Sequence, residues 1–265
     1  MNPLAKRLLT SAVLVSITIA AIFFVPNWFF FLVTEVFIFL ALNEFFVLAE
    51  KKSIAINRVL GLLFGILTSF SIFLSSESAI LALASLSLFI FNFNRKLRDQ
   101  ALVSTAVTLF GIVYVSWFFS HLNKIKILPH GSFWVFYTIL LVKGGDAGAY
   151  FIGKNYGKMK LIEHISPNKS WEGALGGFAV TVLLSLVSKI YLVHVPMIHL
   201  FILGVVLGIL SQLGDLAESL IKRDVGVKDS GQVPGLGGIL DVIDSLLFTV
   251  PFVYYYISAF PAILG

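Results

Sequence analysis

Cysteine is absent from the 265 residues, which removes disulfides, zinc–thiolate centres and thiol nucleophiles from the chemistry available. Charge is scarce as well. Only 12% of the residues are Asp, Glu, Lys or Arg, where an ordinary soluble domain carries about a quarter. What fills the gap is apolar: 58% of the chain is hydrophobic, with 26 phenylalanines. These residues fall in long blocks, and a block of roughly 20 suffices to cross about 30 Å of hydrocarbon. Nine blocks are expected to span, at 8–25, 28–49, 59–74, 79–93, 101–119, 133–152, 174–193, 197–213 and 239–259. The fold class expected is therefore all-α, a polytopic integral membrane protein with about nine transmembrane helices.

Basic residues are nearly missing from every second connection. Fifteen of the nineteen lie in the N-terminal segment and in the second, fourth, sixth and eighth connections, whereas the opposite side holds only Lys124 and Lys126. The positive-inside rule places the fifteen, and with them the N-terminus, on the cytoplasmic side of the cell membrane. The net charge of +5 then reflects topology and contact with anionic lipid, and no nucleic-acid partner is expected. Lys6 and Arg7 ahead of the first block resemble a signal peptide, but no small-residue cleavage site follows, so a retained helix is expected. No internal repeat is visible, which gives an inverted-repeat transporter little support.

Acid, too, is unevenly placed: nine of the fourteen acidic residues lie between Asp146 and Asp244. The chain accordingly divides into N-terminal helices, about five, over 1–132 and a candidate catalytic region over 133–265 with two long cytoplasmic loops, 153–173 and 214–238. Asp215 and Glu218 sit at the cytoplasmic end of the eighth block, three apart and hence on one helical face. Asp241 and Asp244 repeat that spacing where the ninth begins. Asp146 and Glu172 reach the same level from the sixth and seventh. Carboxylates at membrane depth are costly unless paired with cations or a metal, and acids on neighbouring helices suit a hard divalent ion. The competing reading is ordinary neutralisation by Lys143, Lys222 and Arg223.

The eighth connection joins Ser219, Lys222, Arg223, Lys228 and Asp229 to a glycine-rich turn with Gly237 and Gly238, just ahead of a helix start. Cations clamp phosphoryl oxygens, and glycines and helix N-termini let backbone amides approach them. In the sixth, Ser166, Lys169, Ser170, Trp171 and Glu172 precede a helix, where Ser170 could equally cap it and Trp171 anchor it at the interface. Glu35 and Glu44, within the second block, could pair with a lysine or line a polar crevice, and structural packing is at least an equal reading. His194 and His199 bracket an external turn without a third ligand nearby.

At these residues the chain resembles the CDP-diacylglycerol synthases, or phosphatidate cytidylyltransferases. Their signature, Ser-x-x-Lys-Arg-x4-Lys-Asp followed by Pro-Gly-His-Gly-Gly and Asp-Arg-x-Asp, is met by Ser219, Lys222, Arg223, Lys228, Asp229, Pro234, Gly235, Gly237, Gly238, Asp241 and Asp244. Gly214-Asp215-Leu-Ala-Glu218, Asp146-x-Gly148-Ala149-Tyr150 and Ser166-Pro167-x-Lys169-Ser170-Trp171-Glu172-Gly173 also match. The likeness is specific over 143–258. Leu236 and Val242 stand where the family has His and Arg, Gln232 where His is common, and Ala147 where Thr is usual; the carboxylates are all kept.

The resemblance implies transfer of CMP from CTP to phosphatidic acid, giving CDP-diacylglycerol and pyrophosphate in phospholipid biosynthesis. It implies one or two Mg²⁺ ions on Asp215 and Asp241, with Asp244, Glu218 and Asp146 as further metal ligands and room for a monovalent partner. Asp215, Asp241, Lys222 and Arg223 become the expected catalytic residues. Ser166, Lys169, Trp171, Ser219, Lys228, Asp229, Gly237 and Gly238 become the expected substrate contacts. CTP, phosphatidic acid and the lipid bilayer are the expected partners, and a homodimer is compatible with them. The alternatives are a CTP-dependent transferase or kinase acting on another lipid and, from a different class, a cation transporter using Asp146, Asp215 and Asp241.

Overall fold

The computed structural model describes residues 16–71, 76–93, 98–231 and 237–263. It is a helical bundle, with α1 Asn27–Lys51, α2 Arg58–Phe70, α3 Glu77–Phe93, α4 Ala101–Ile127, α5 Gly131–Tyr156, α6 Trp171–Val187, α7 Met197–Asp224 and α8 Ile239–Ala259. Six of these, α1 and α4 to α8, are long and apolar enough to cross a membrane. The protein is thus an all-α, multi-pass membrane protein, as its composition requires. The third and fourth expected spans are α2 and α3, of 13 and 17 residues. At 1.5 Å per residue they reach roughly 20 and 25 Å, short of a full crossing. The first expected span lies largely outside the described residues, and its part over 16–23 is helical.

Two expectations about the connections give way to more structure. Part of 153–173 is a two-stranded antiparallel hairpin, β1 Lys160–Ile162 against β2 Ser166–Ser170, with Lys160 opposite Ser170 and Ile162 opposite Ser166. No apolar alternation announces it. The Glu172 carboxylate fastens it instead, taking the Lys158 amide at 3.1 Å and the Met159 amide at 3.3 Å. Trp171 N–H donates to the Met159 carbonyl at 2.9 Å. The second difference is in α7, which continues to Asp224 rather than ending near Leu213. Its last three turns stay helical because Glu218, Ser219 and Lys222 are buried against neighbours, so apolar periodicity stops where the helix does not.

Packing brings the ends of α5, α6, α7 and α8 together. Between α5 and α6 the approach is backbone to backbone. A Cβ on Gly177 would lie 2.8 Å from the Gly145 carbonyl oxygen, and one on Gly173 2.9 Å from that of Ala149; small residues are what allow such contact between membrane helices. Ser170 caps α6, accepting from Gly173 N–H at 3.1 Å, as its position suggested. The main apolar core runs through both halves of the chain, from Ile38 and Phe46 on α1 through Tyr114, Trp134 and Leu207 to Leu247 on α8. A smaller cluster, Phe64, Ala84 and Ile112, joins α2, α3 and α4.

Candidate active site

Asp215, Glu218, Ser219 and Lys222 recur on α7 at helical spacing, and this face meets α5, the hairpin and α8. It carries two neighbouring groups of carboxylates.

The first group opens into a cavity of about 640 Å³, lined among others by Asp146, Ser166, Lys169, Thr181, Gln212 and Asp215; ligand pockets run from roughly 300 to 1,000 Å³. Lys169, on β2, reaches across to Asp215 at 2.7 Å, and Ser219 Oγ donates to the other Asp215 oxygen at 3.4 Å. Asp146 pairs with Lys143 one turn earlier on α5 at 3.2 Å. Ser245 of α8 donates toward Asp146 at 3.3 Å and lies 3.0 Å from Asp244 Oδ1, tying that buried acid to the same group. Asp146 and Asp215 each keep 34% of their side-chain surface exposed.

The second group is closed. Lys222 forms ion pairs with both Glu218 and Asp241, and Glu218 has no exposed surface. The other Asp241 oxygen accepts from Ser230 N–H at 3.0 Å, Ser230 Oγ at 3.0 Å and Gly238 N–H at 2.7 Å. Glu44 arrives from α1, nearly two hundred residues away in sequence, and takes Ile239 N–H at 3.0 Å, Leu240 N–H at 2.9 Å and Ser230 Oγ at 3.0 Å. The amides that open α8 are therefore held by the protein's own acids, where the sequence suggested a cradle for phosphate. Gly238 has no room for a side chain: a Cβ there would sit 2.5 Å from Glu44 Oε2. Gly237, at φ +82°, adopts the left-handed conformation that favours glycine.

Among the other expected contacts, Arg223 faces neither group. Its guanidinium donates to the Ile165 carbonyl at 3.0 Å and the Val227 carbonyl at 3.1 Å, joining the hairpin to the turn after α7. Lys228 and Asp229 are exposed, as is Trp171. Val242 packs on the apolar core in place of the family's Arg. Gln232, Pro234, Gly235 and Leu236 lie outside the described residues. What the sequence reading missed is Glu44. Its signal was present, since no basic residue lies three or four positions away on α1 and an acid at membrane depth must find a partner somewhere.

Among the described residues no three acids or imidazoles converge as a ready-made metal cage. The donor set nonetheless suits a hard cation that draws the rest of its shell from substrate. Around the cavity Asp146, Asp215 and Asp244 outnumber their two paired lysines, Lys143 and Lys169. Mg²⁺ commonly binds through one or two carboxylates plus phosphates and water.

The profile of the cytidylyltransferase family matches residues 5–260. The chain belongs to that family. Relatives named phosphatidate cytidylyltransferase include one from Bacillus subtilis, 40% identical over 56% of this chain and 56% of its own length. Another, from Haemophilus influenzae, is 47% identical over 48% of this chain and 46% of its own. A third, from Synechocystis sp., is 35% identical over 87% of this chain and 89% of its own. The match thus spans about half the length of the first two relatives and most of the third.

Proposed function

We propose that this protein is a phosphatidate cytidylyltransferase that makes CDP-diacylglycerol from CTP and phosphatidic acid, with its cavity on the cytoplasmic side of the cell membrane. The observation that carries the reading is the cavity itself. Carboxylates and lysines converge in it at the end of a membrane-spanning bundle, the level at which a lipid phosphate and a water-soluble nucleotide meet. Family membership and the names of the relatives support it.

In this reaction an oxygen of the lipid phosphate attacks the α-phosphorus of CTP. A new P–O bond forms, the bond from the α-phosphorus to the α,β-bridging oxygen breaks, and pyrophosphate leaves with the electron pair. The lipid supplies the nucleophile, so the protein has to position and neutralise. Lys169, beside Asp215 and lining the cavity, is placed to exchange its carboxylate partner for a phosphoryl oxygen, and Ser166 offers a hydroxyl on the same wall. Asp215 and Asp146 would hold Mg²⁺, with Asp244 behind them; the bound ion would supply charge neutralisation of the phosphates. Glu218 and Asp241 hold Lys222 and the start of α8 in register beside them.

The test is CTP turnover by detergent-purified protein with phosphatidic acid and Mg²⁺, following the lipid-linked cytidylyl product. Product that needs both lipid and metal is expected. Folded protein that yields none with phosphatidic acid, yet transfers CMP to a different acceptor in a lipid panel, would overturn the substrate assignment.

A further inference from the structure

Many buried hydroxyls in this bundle bond back to a carbonyl of their own helix. Thr138, Thr181 and Thr249 do so at 2.8, 2.9 and 3.1 Å, the usual way to satisfy such a group at membrane depth. Two consecutive residues on the cavity wall depart from this habit. Gln212 spends both N–H groups of its amide on main-chain carbonyls, 3.0 Å to Ala174 of α6 and 3.0 Å to Gly208 of α7. Because both partners are acceptors, the amide orientation is fixed by chemistry; reversed, Oε1 would face two carbonyl oxygens. Oε1 is then left without a partner among the described residues while still reaching accessible space, and the residue lines the cavity. Ser211, only 3% exposed, lines the same cavity, and its hydroxyl likewise has no partner among the described residues.

The wall thus presents a rigid acceptor, held by two helices, and the same cavity is lined by a hydroxyl that can donate. Gln212 lies three residues before Asp215, roughly 4.5 Å along the helix, so a substrate with its phosphate at Asp215 brings other atoms past it. A substrate edge that answers this pair has an N–H donor next to an acceptor. The cytosine edge is of that kind, with its exocyclic amine beside a ring nitrogen; uracil puts a carbonyl oxygen where cytosine has the amine.

We propose that Gln212 is a specificity-determining residue, its Oε1 accepting a hydrogen bond from the exocyclic amine of the nucleobase, with Ser211 donating to the neighbouring ring nitrogen. The assignment rests on the cytidylyl-transfer reading above and adds to it how the enzyme tells CTP from UTP. Lone pair would meet lone pair if uracil entered. A ribose hydroxyl is the other donor a nucleotide could offer to the same acceptor.

The experiment compares kcat/KM for CTP, UTP and 2′-deoxy-CTP, with phosphatidic acid and Mg²⁺ fixed, in the wild type, Gln212→Met and Ser211→Ala. Ratios of kcat/KM are independent of the fraction of active protein, so partial misfolding of a variant does not blur the result. The wild type is expected to favour CTP strongly over UTP, and Gln212→Met to lower that preference about tenfold or more, since sites built around a hydrogen bond draw much of their selectivity from it. Ser211→Ala should lower the same ratio by a smaller factor, and it decides the matter if Gln212→Met is too weak to assay. The CTP to 2′-deoxy-CTP ratio should not move. An unchanged CTP to UTP ratio in both variants overturns the proposal, and a change confined to 2′-deoxy-CTP assigns the donor to the ribose and overturns the base assignment. A wild type that transfers no nucleotide at all overturns the cytidylyl-transfer reading, and this proposal with it.

Discussion

The two carboxylate groups where α5 to α8 converge have similar composition and opposite surroundings. Asp146 and Asp215 are a third exposed, line a cavity and meet their lysines at 3.2 and 2.7 Å. Glu218 and Asp241 are almost fully covered and share one lysine, and Asp241 together with Glu44 consumes the free amides at the start of α8. A carboxylate that has to exchange partners during a reaction needs access and spare valence. One that fixes a loop needs neither, and gains from burial once its hydrogen bonds are complete. The first group thus stands open to a ligand and the second is closed around Lys222, although the sequence marks both with the same Asp and Glu spacing.

The sharpest way to break this contrast is to truncate one member of each group. Asp215→Ala should lower turnover about 10³-fold or more, the scale of losing a principal electrostatic contact to a reacting phosphate, with the thermal midpoint in detergent nearly unchanged. Near-normal turnover in this variant would remove Asp215 from the reaction. Lys222→Met should instead unfold the protein more easily. Removing one partner of a buried pair costs roughly 3–5 kcal/mol, and Glu218→Gln in the same chain should recover part of it. If Lys222→Met lowers activity without lowering the midpoint, Lys222 belongs with the reacting group.

Glu44 refines the comparison because it comes from the half of the chain whose contribution the motifs leave open. Glu44→Ala strands two amides and leaves Ser230 Oγ only its bond to Asp241, and a loss of about 2–3 kcal/mol is expected. Glu44→Gln, which keeps one acceptor oxygen, should lose less. Equal loss in both variants would mean that the negative charge at the helix N-terminus, rather than the hydrogen bonds, is what matters. The smallest effect is expected at the α6 cap. Ser170→Ala should cost about 1 kcal/mol and raise KM for the nucleotide more than it lowers kcat, because the cap orients the hairpin that carries Lys169 rather than touching substrate. A change in kcat alone would contradict that division.

Much of this was legible in the residues. Long apolar blocks have only one inexpensive way to satisfy their backbone groups in lipid, so an all-helical bundle follows from composition. Helical spacing puts Asp215 and Glu218 on one face without any structure, whereas Ser170 ahead of Gly173 leaves cap and ligand site open, and the cap is seen only in the structure. Where apolar periodicity ceased, the reading failed. The polar end of α7 reads as a loop because its partners, on α8 and the hairpin, are distant in sequence. Strands β1 and β2 escaped because backbone pairing and Glu172 hold them, rather than alternating side chains.

The sequence by itself determined the class of fold, the family and the set of charged residues at stake, since hydropathy, spacing and motif are local properties of a chain. Only the tertiary structure decided which acids stand open and which are spent. It brought Glu44 from α1 onto the first turn of α8, gave Lys222 to two carboxylates at once, and tied the amide of Gln212, on the cavity wall, to carbonyls of two helices. The physical reason is that burial and hydrogen-bond satisfaction depend on what arrives from other helices, and those arrivals are fixed by packing rather than by neighbours along the chain.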